Sequence, residues 1–249
     1  MNALILAAGL GTRLGELTSD RPKALVEVAG RTMLEHQLRK LDAAGFGHII
    51  INTHHFAEKI YDFLQANGCF GMDITVSDES DRLLDTGGGI RKAFHLFKSN
   101  DPVLVHNVDI FSDTDLHALY ADHLQSGADA TLLTARRKTS RYLYFDESMR
   151  LRGWSNEKTG QTRSPFPEFN KDICTPMAFQ GIHVLSRSIL ELLDKVSAES
   201  FSITDFYVDN AANLNLRAVE ADASGWVDAG KPDALQRAEE IASSCISLK

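Results

Sequence analysis

Apolar residues fall in short blocks along this chain, and the blocks alternate between two patterns. Residues 4–7 are a continuous apolar run that stops at Ala8-Gly9-Leu10-Gly11, which predicts a buried parallel strand entering a glycine-rich loop. Residues 32–44 place Leu34, Leu38 and Leu41 at helical spacing, and Gly45 closes that helix. The run His48-Ile49-Ile50-Ile51-Asn52 predicts a second strand. Residues 57–66 predict a second helix with Ile60, Phe63 and Leu64 on one face. A third strand at 73–76, a helix at 87–97 and a fourth strand at 103–105, running into Asn107-Val108-Asp109, continue the series. Strand and helix in alternation with short links imply parallel strands joined by right-handed crossovers. The expected fold class is α/β: a doubly wound, Rossmann-like, mixed but mostly parallel sheet flanked by helices.

After about residue 126 the pattern changes. Strands are expected at 130–133, 142–145 and 179–185, and helices at 189–196 and 232–242. The polar stretch 156–174, with Gly160, Pro165 and Pro167, reads as a loop or lid. No linker, charge block or repeat interrupts the chain, so residues 1–249 are expected to be one domain with halves 1–125 and 126–249. A C-terminal β-helix of hexapeptide repeats is not expected.

Composition narrows the partners. The chain is 43% hydrophobic and 24% charged, ordinary for a globular protein, and its formal net charge is -8. Such a chain has no electrostatic footprint for nucleic acid, and an anionic ligand would need local cations or a metal. Cys69, Cys174 and Cys245 form no CxxC pair, which fits a reducing cytoplasm. No stretch approaches the roughly 20 apolar residues a membrane span requires. A soluble, cytoplasmic monomer or homo-oligomer is expected, with no membrane partner. The adjacent His54-His55 would point to opposite faces of a strand and lack zinc-site spacing.

The segment from Leu6 to Leu14, LAAGLGTRL, carries the first chemistry. Small residues after a buried strand let the backbone approach a ligand, and successive free N–H groups form an anion cradle; a tight turn is the plainer alternative. Leu14 breaks the dinucleotide fingerprint at its third glycine, which disfavours an NAD-dependent oxidoreductase, and no Gly-Lys-Ser/Thr triplet is present. Arg13 and Lys23 instead flank the loop, and an arginine fork with a lysine point charge can hold a triphosphate from two sides.

The string LILAAGLGTRL…RPKALVEVAGRTMLEHQL closely resembles the N-terminal signature of the sugar-1-phosphate nucleotidyltransferases, L-x-A-x-G-x-G-T-R-L, a gap, then P-K. The resemblance runs from residue 1 to about residue 234. It implies the nucleotide-diphospho-sugar transferase fold. It also implies an enzyme that joins a nucleoside triphosphate to a sugar 1-phosphate, releasing pyrophosphate, with residues 1–125 holding the nucleotide and 126–249 the sugar. By the resemblance Ala7, Ala8, Gly9, Gly11 and Thr12 border the base and phosphates, Arg13 holds the departing pyrophosphate, and Lys23 bridges the reacting phosphates. Asn52, at a strand end, and Asp78 or Glu79 touch the nucleotide. Thr86 and Gly87, in Leu84-Asp85-Thr86-Gly87-Gly88-Gly89, read the base through their backbone.

Both reactants are anionic, so their repulsion must be neutralised, and Mg²⁺ held by one or two carboxylates suits that task. Asp109, at a strand's C-terminal end, and Asp228, in Trp226-Val227-Asp228-Ala229-Gly230, match the family's metal pair. The chain departs from the pattern at Val108, where glycine is usual. Asn107, Glu157-Lys158 and Gly181 are expected to line the sugar pocket. The triple glycine is similar to that of uridylyltransferases acting on N-acetylmuramic acid 1-phosphate and of some mannose-1-phosphate guanylyltransferase relatives. Ala7-Ala8-Gly9 in the first loop, where many thymidylyl and guanylyl members have Ala-Gly-Gly, favours uridylyl transfer to an amino-sugar 1-phosphate. A mannose- or heptose-1-phosphate guanylyltransferase and a cytidylyltransferase on a phosphorylated alcohol remain open. A catalytically silent relative that binds a nucleotide-sugar is disfavoured because Arg13, Lys23, Asp109 and Asp228 are all present.

Overall fold

Continuous apolar runs become central strands in this protein because both of their faces are covered. The computed structural model describes residues 1–246, with side chains as far as Ser244, so Cys245 lies outside the described side chains. Asn2–Leu6 (β1) leads to the small hairpin of Glu27–Val28 (β2) and Arg31–Thr32 (β3). Met33–Ala43 (α1), His48–Thr53 (β4), Ala57–Ala66 (α2), Asp73–Asp78 (β5), Asp85–Phe94 (α3) and Val103–Asn107 (β6) follow. Next come Ile110–Ser112 (β7), Leu116–Ser126 (α4), Ala130–Ala135 (β8), Arg141–Phe145 (β9), Leu151–Asn156 (β10), Gln161–Arg163 (β11) and Thr175–Leu185 (β12). The last elements are Arg187–Leu193 (α5), Ile203–Asn210 (α6), Leu216–Glu220 (β13), Trp226–Asp228 (β14) and Leu235–Ile246 (α7).

The main sheet runs β11-β10-β9-β12-β6-β1-β4-β5, with β8 pairing β12 and β13 pairing β8. Strands β6, β1, β4 and β5 are parallel, whereas β12 is antiparallel to β6, β8 and β9. Period-two alternation then divides the apolar runs between two layers. Ala3, Ile5, Ile49, Ile51 and Leu104 pack with Leu34, Leu38 and Leu41 of α1, and Leu4, Ile50, Val103 and Val105 pack with Ile90, Ile189 and Tyr207 on the other side. Burial on both faces explains why these strands do not alternate with polar residues.

Helix α1 starts where the sequence places it, because Thr32 caps it by accepting from the Glu35 N–H at 3.1 Å. Several expectations shift: the helix expected at 189–196 is Arg187–Leu193, and the strand expected at 179–185 begins at Thr175. Helix α3 spans residues 85–94 rather than 87–97, because the chain enters it through Asp85 in a left-handed conformation (φ 58°). The closing helix begins after a 3-10 turn at Pro232–Ala234 and extends to Ile246. The stretch 156–174 is not all loop: β11 folds back on β10 as a hairpin. Helices α4 and α6 were left out of the sequence expectation. Each nevertheless carries a local signal: Asp115 caps α4 through the Ala118 N–H, and Ser202 caps α6 through the Asp205 N–H.

Candidate active site

The carboxyl ends of β1, β4, β5 and β6 point to one edge of the parallel sheet, the usual position for a ligand in such folds. Beyond β1 the chain turns through Ala7 to Gly11. The Ala7 and Ala8 N–H groups donate to Asn52 Oδ1 at 2.6 and 3.3 Å, and Asn52 Nδ2 donates to Glu79 Oε1 at 2.8 Å. Asn52 and Glu79 are buried braces of the loop, and the Ala7 and Ala8 N–H groups are already engaged. Burial pushes the Glu79 carboxyl up, against the pull of the Asn52 amide and the Leu84 N–H. The N–H groups of Gly9, Leu10 and Gly11 have no partner among the described residues, so the open part of the cradle lies there. Thr12 is exposed beside it.

Gly11 has φ 67°, and a Cβ there would stand 2.9 Å from Lys23 Cβ. The glycine therefore lets the segment bearing Lys23 close against the loop. Lys23 opens a 3-10 turn, Lys23–Leu25, anchored by buried Ala24 and Val26. Its ammonium, itself buried, forms an ion pair with Asp109. Arg13 remains half exposed and lies 3.7 Å from Asp228.

Asp109 and Asp228 are far apart in sequence but meet here. Antiparallel β7 and β14 put Asp228 opposite Ile110, and the Ala229 N–H donates to the Asp109 carbonyl at 2.9 Å. Burial raises the Asp109 carboxyl above its usual range; Lys23 opposes that shift and Asp228 adds to it. For Asp228 burial acts in the same direction, but the hydrogen bond with Asp109, the Gly230 N–H and the charges of Lys23 and Arg13 outweigh it and hold the carboxyl low. Val108 fits without strain: its N–H donates to the Leu6 carbonyl at 3.0 Å, its side chain is in the core, and its φ is not positive. A Cβ on Gly230 would stand 2.5 Å from Arg13 Nη2, 2.7 Å from Asp228 Oδ1 and 3.0 Å from Lys23 Nζ. All four charged side chains thus converge on one junction. No group of three or more potential metal ligands occurs among the described residues. Two adjacent carboxylates are nevertheless a donor set suited to Mg²⁺, which takes its remaining ligands from phosphates and water.

Two cavities share Leu6, Asp85, Thr86 and Asn107 as common wall, and Lys23 and Asp109 of the junction line one of them. The smaller, about 440 Å³, includes Ala8, Gly9, Lys23, Asn52 and Asp109 in its lining; the larger, about 710 Å³, reaches β9, β10 and β11. Thr86 faces both, but Gly87 faces neither. The Gly87 N–H donates to the Phe201 carbonyl at 2.8 Å, and a Cβ on Gly87 would run into the Phe201 ring. Gly87 and Gly88 therefore let the segment leading into α6 pack closely, and Gly89 makes room for the Asn52–Glu79 pair. Gly181 (φ 74°) sits at an irregularity in β12, where it admits the Asn107 side chain. Glu157 is exposed and lines a neighbouring cleft with Arg137 and Thr139. Lys158 lies in the exposed β10–β11 turn and borders neither cavity, so a turn position separates it from the sugar side.

Sequence reasoning missed Arg137. It stacks on Trp226 at 4.0 Å, donates to the Phe179 carbonyl and lines the larger cavity. Burial lowers its pKa while the Asp228 charge pulls the other way, which places it at the Asp228 end of that cavity. The only local sign was its position in a basic run directly after β8.

Comparison with known proteins agrees with this geometry. An N-acetylmuramate alpha-1-phosphate uridylyltransferase of Caulobacter vibrioides is 42% identical over 51% of this chain and 50% of its own. A mannose-1-phosphate guanyltransferase of Yarrowia lipolytica is 28% identical over 93% of this chain and 61% of its own. The aligned regions thus span about half to three-fifths of these relatives. A Bacillus anthracis chain crystallised with sucrose superposes with a TM-score of 0.80 at 22% identity, covering 97% of this chain and 95% of that one, which establishes the shared fold. A family model described as nucleotidyl transferase matches residues 2–244, and the chain belongs to that family.

Proposed function

We propose that this enzyme condenses a nucleoside triphosphate with a sugar 1-phosphate. A phosphate oxygen of the sugar bonds to the α-phosphorus, the bond from that phosphorus to the bridging oxygen breaks, and pyrophosphate leaves with the electron pair. The observation that carries this reading is the convergence of Arg13, Lys23, Asp109 and Asp228 on one junction, with Lys23 and Asp109 lining the smaller cavity. Residues 1–125 hold the triphosphate, with Gly9 and Gly11 N–H groups at its phosphates. Residues 126–249 hold the sugar, with Arg137 at its phosphate. Lys23 offsets charge between the two reactants, and Arg13, the more exposed cation, follows the leaving pyrophosphate. Asp109 and Asp228 would hold Mg²⁺, which when bound supplies a Lewis acid and a template for both phosphates.

For the substrate pair we favour uridylyl transfer to an amino-sugar 1-phosphate, on the strength of the 42% identity to a protein named for that activity. Guanylyl transfer to mannose 1-phosphate is the second reading, because those relatives align along 93% of the chain. Among the described residues no helix is long and apolar enough to cross a membrane, and free Cys69 and Cys174 support a cytoplasmic setting. A pyrophosphate-release assay crossing UTP, GTP, CTP, ATP and dTTP with a panel of sugar 1-phosphates tests the proposal. Release that requires both substrates is expected; no release with any pair would refute it.

A further inference from the structure

Three strands present one face to the larger cavity, and their register makes that face regular. Arg141 pairs with Asn156, which pairs with Gln161; two residues along, Leu143 pairs with Trp154, which pairs with Arg163. All six residues line the cavity. Side chains at alternate positions share a face, so the six form two rows, a polar Arg-Asn-Gln row and a row centred on the Trp154 ring. None of them belongs to a motif at the junction.

The charges on these walls are unequally committed. Arg163 is held by Asp205 and, at 2.7 Å, by Asp209. Arg137 lies against Trp226 within the field of Asp228. The Arg141 guanidinium makes no hydrogen bond and no ion pair among the described residues. An exposed arginine is ordinarily a solvated cation. This one ends a polar row that faces a cavity whose own carboxylate on that side, Asp205, is already taken by Arg163.

We infer that Arg141 is a specificity residue that reads an acidic substituent, and that the acceptor is a sugar 1-phosphate carrying a carboxylate away from its anomeric carbon. The inference rests on the proposed reaction only for the placement of the anomeric phosphate at the Arg137 end. From there the ring lies over Trp154, and its far substituents meet the row of Arg141, Asn156 and Gln161. A planar guanidinium fork matches both oxygens of a carboxylate, and the neighbouring amides can donate to hydroxyl or acyl oxygens. Arg141 thus sets which sugar enters and stands apart from the groups that transfer the nucleotide.

Calorimetric titration of the full chain with N-acetylmuramic acid 1-phosphate and with N-acetylglucosamine 1-phosphate, which lacks the acid arm, tests this directly. The acid sugar is expected to bind about tenfold or more tightly, the size of one charge-assisted contact. Arg141→Gln should abolish that preference while leaving the neutral sugar within about twofold, and Arg141→Lys should keep part of it. Arg141 is exposed, so an unchanged melting curve certifies the variant's fold. Equal binding of the two sugars by the wild type, an equal loss of both in Arg141→Gln, or tighter binding of glucose 1,6-bisphosphate than of the carboxylate sugar would each overturn the inference. A wild type that shows the preference yet releases no pyrophosphate with any triphosphate would leave Arg141 assigned and would sink the transfer reaction instead.

Discussion

The junction at the ends of β1 and β6 and the face of β9, β10 and β11 are built on opposite principles. At the junction nearly every polar group is committed to another: Asn52 braces Ala7, Ala8 and Glu79, Lys23 pairs with Asp109, and Asp228 receives the Gly230 N–H. On the antiparallel face Arg141 is uncommitted and the chain is more open. A rigid, pre-set charge array suits a reaction whose demand is fixed, since dipoles already in place need no reorganisation when charge moves. An open, register-built surface suits selection, because each side chain on it can change without disturbing the array. Under the proposed function, the difference puts chemistry in one region and preference in the other.

Changes at the junction should therefore alter rate, and the largest effect should come from its buried cation. Lys23→Met is expected to lower turnover about a thousandfold in a pyrophosphate-release assay, the loss seen when one pre-set charge-stabilising donor is removed. The variant should still fold, because burial already raises Asp109 and a proton can replace the missing ammonium. Turnover near that of wild type would break the comparison at its strongest point.

Gly230→Val comes next. Its side chain would intrude on Arg13, Asp228 and Lys23 together, and a displacement of about 1 Å among positioned groups costs up to about a hundredfold. We expect kcat/KM to fall about tenfold to a hundredfold with the sugar preference unchanged. A shift in preference would show that the two regions are not separable. Asp228→Asn should raise the Mg²⁺ concentration for half-maximal activity by about tenfold, read from a metal titration of turnover. An unchanged titration would remove Asp228 from the metal pair.

Much of the junction was legible because its glycines and cations lie within the first thirty residues and the constraints on them are local. Glycine must stand where Lys23 closes on Gly11, and apolar runs must continue where both strand faces are covered. The meeting of Asp109 with Asp228 required tertiary pairing of β7 with β14, and the resemblance supplied it where periodicity could not. The packing role of the triple glycine was illegible because a glycine that admits a ligand and one that admits Phe201 look alike in sequence. Asn52 stands at a strand end, but its partner Glu79 follows the next strand, and only the fold reveals that the amide ties Glu79 to the Ala7 and Ala8 N–H groups. The sugar-side rows were illegible for the same reason: Arg141, Asn156 and Gln161 become neighbours through register.

The seam between the regions offers the smallest effect. His106 of β6 and His183 of β12 are fully buried on adjacent strands, and burial depresses both to about 3 from an ordinary value of 6.5. The folded protein therefore refuses protons that the unfolded chain accepts. Their contribution is present above about pH 6.5 and is lost as pH falls from there toward about 3. Each histidine should contribute about 1.4 kcal/mol per pH unit to that loss. Urea unfolding between pH 7 and 5, both set by that window, should show the decline, and His183→Gln should remove one histidine's share. A pH-independent unfolding free energy would show that the seam is not dry.

The central claim is that the sugar phosphate attacks the α-phosphorus directly, across a junction that supplies charge and no nucleophile. Lys23, as an ammonium paired with Asp109, has no lone pair to carry a nucleotidyl group, and the carboxylates of Asp109 and Asp228 are proposed as metal ligands rather than nucleophiles. The stereochemical course with a nucleoside triphosphate made chiral by sulfur at the α-phosphorus tests this most directly. The account predicts a nucleotide-sugar inverted at that phosphorus; retention would reveal a covalent nucleotidyl intermediate and contradict it.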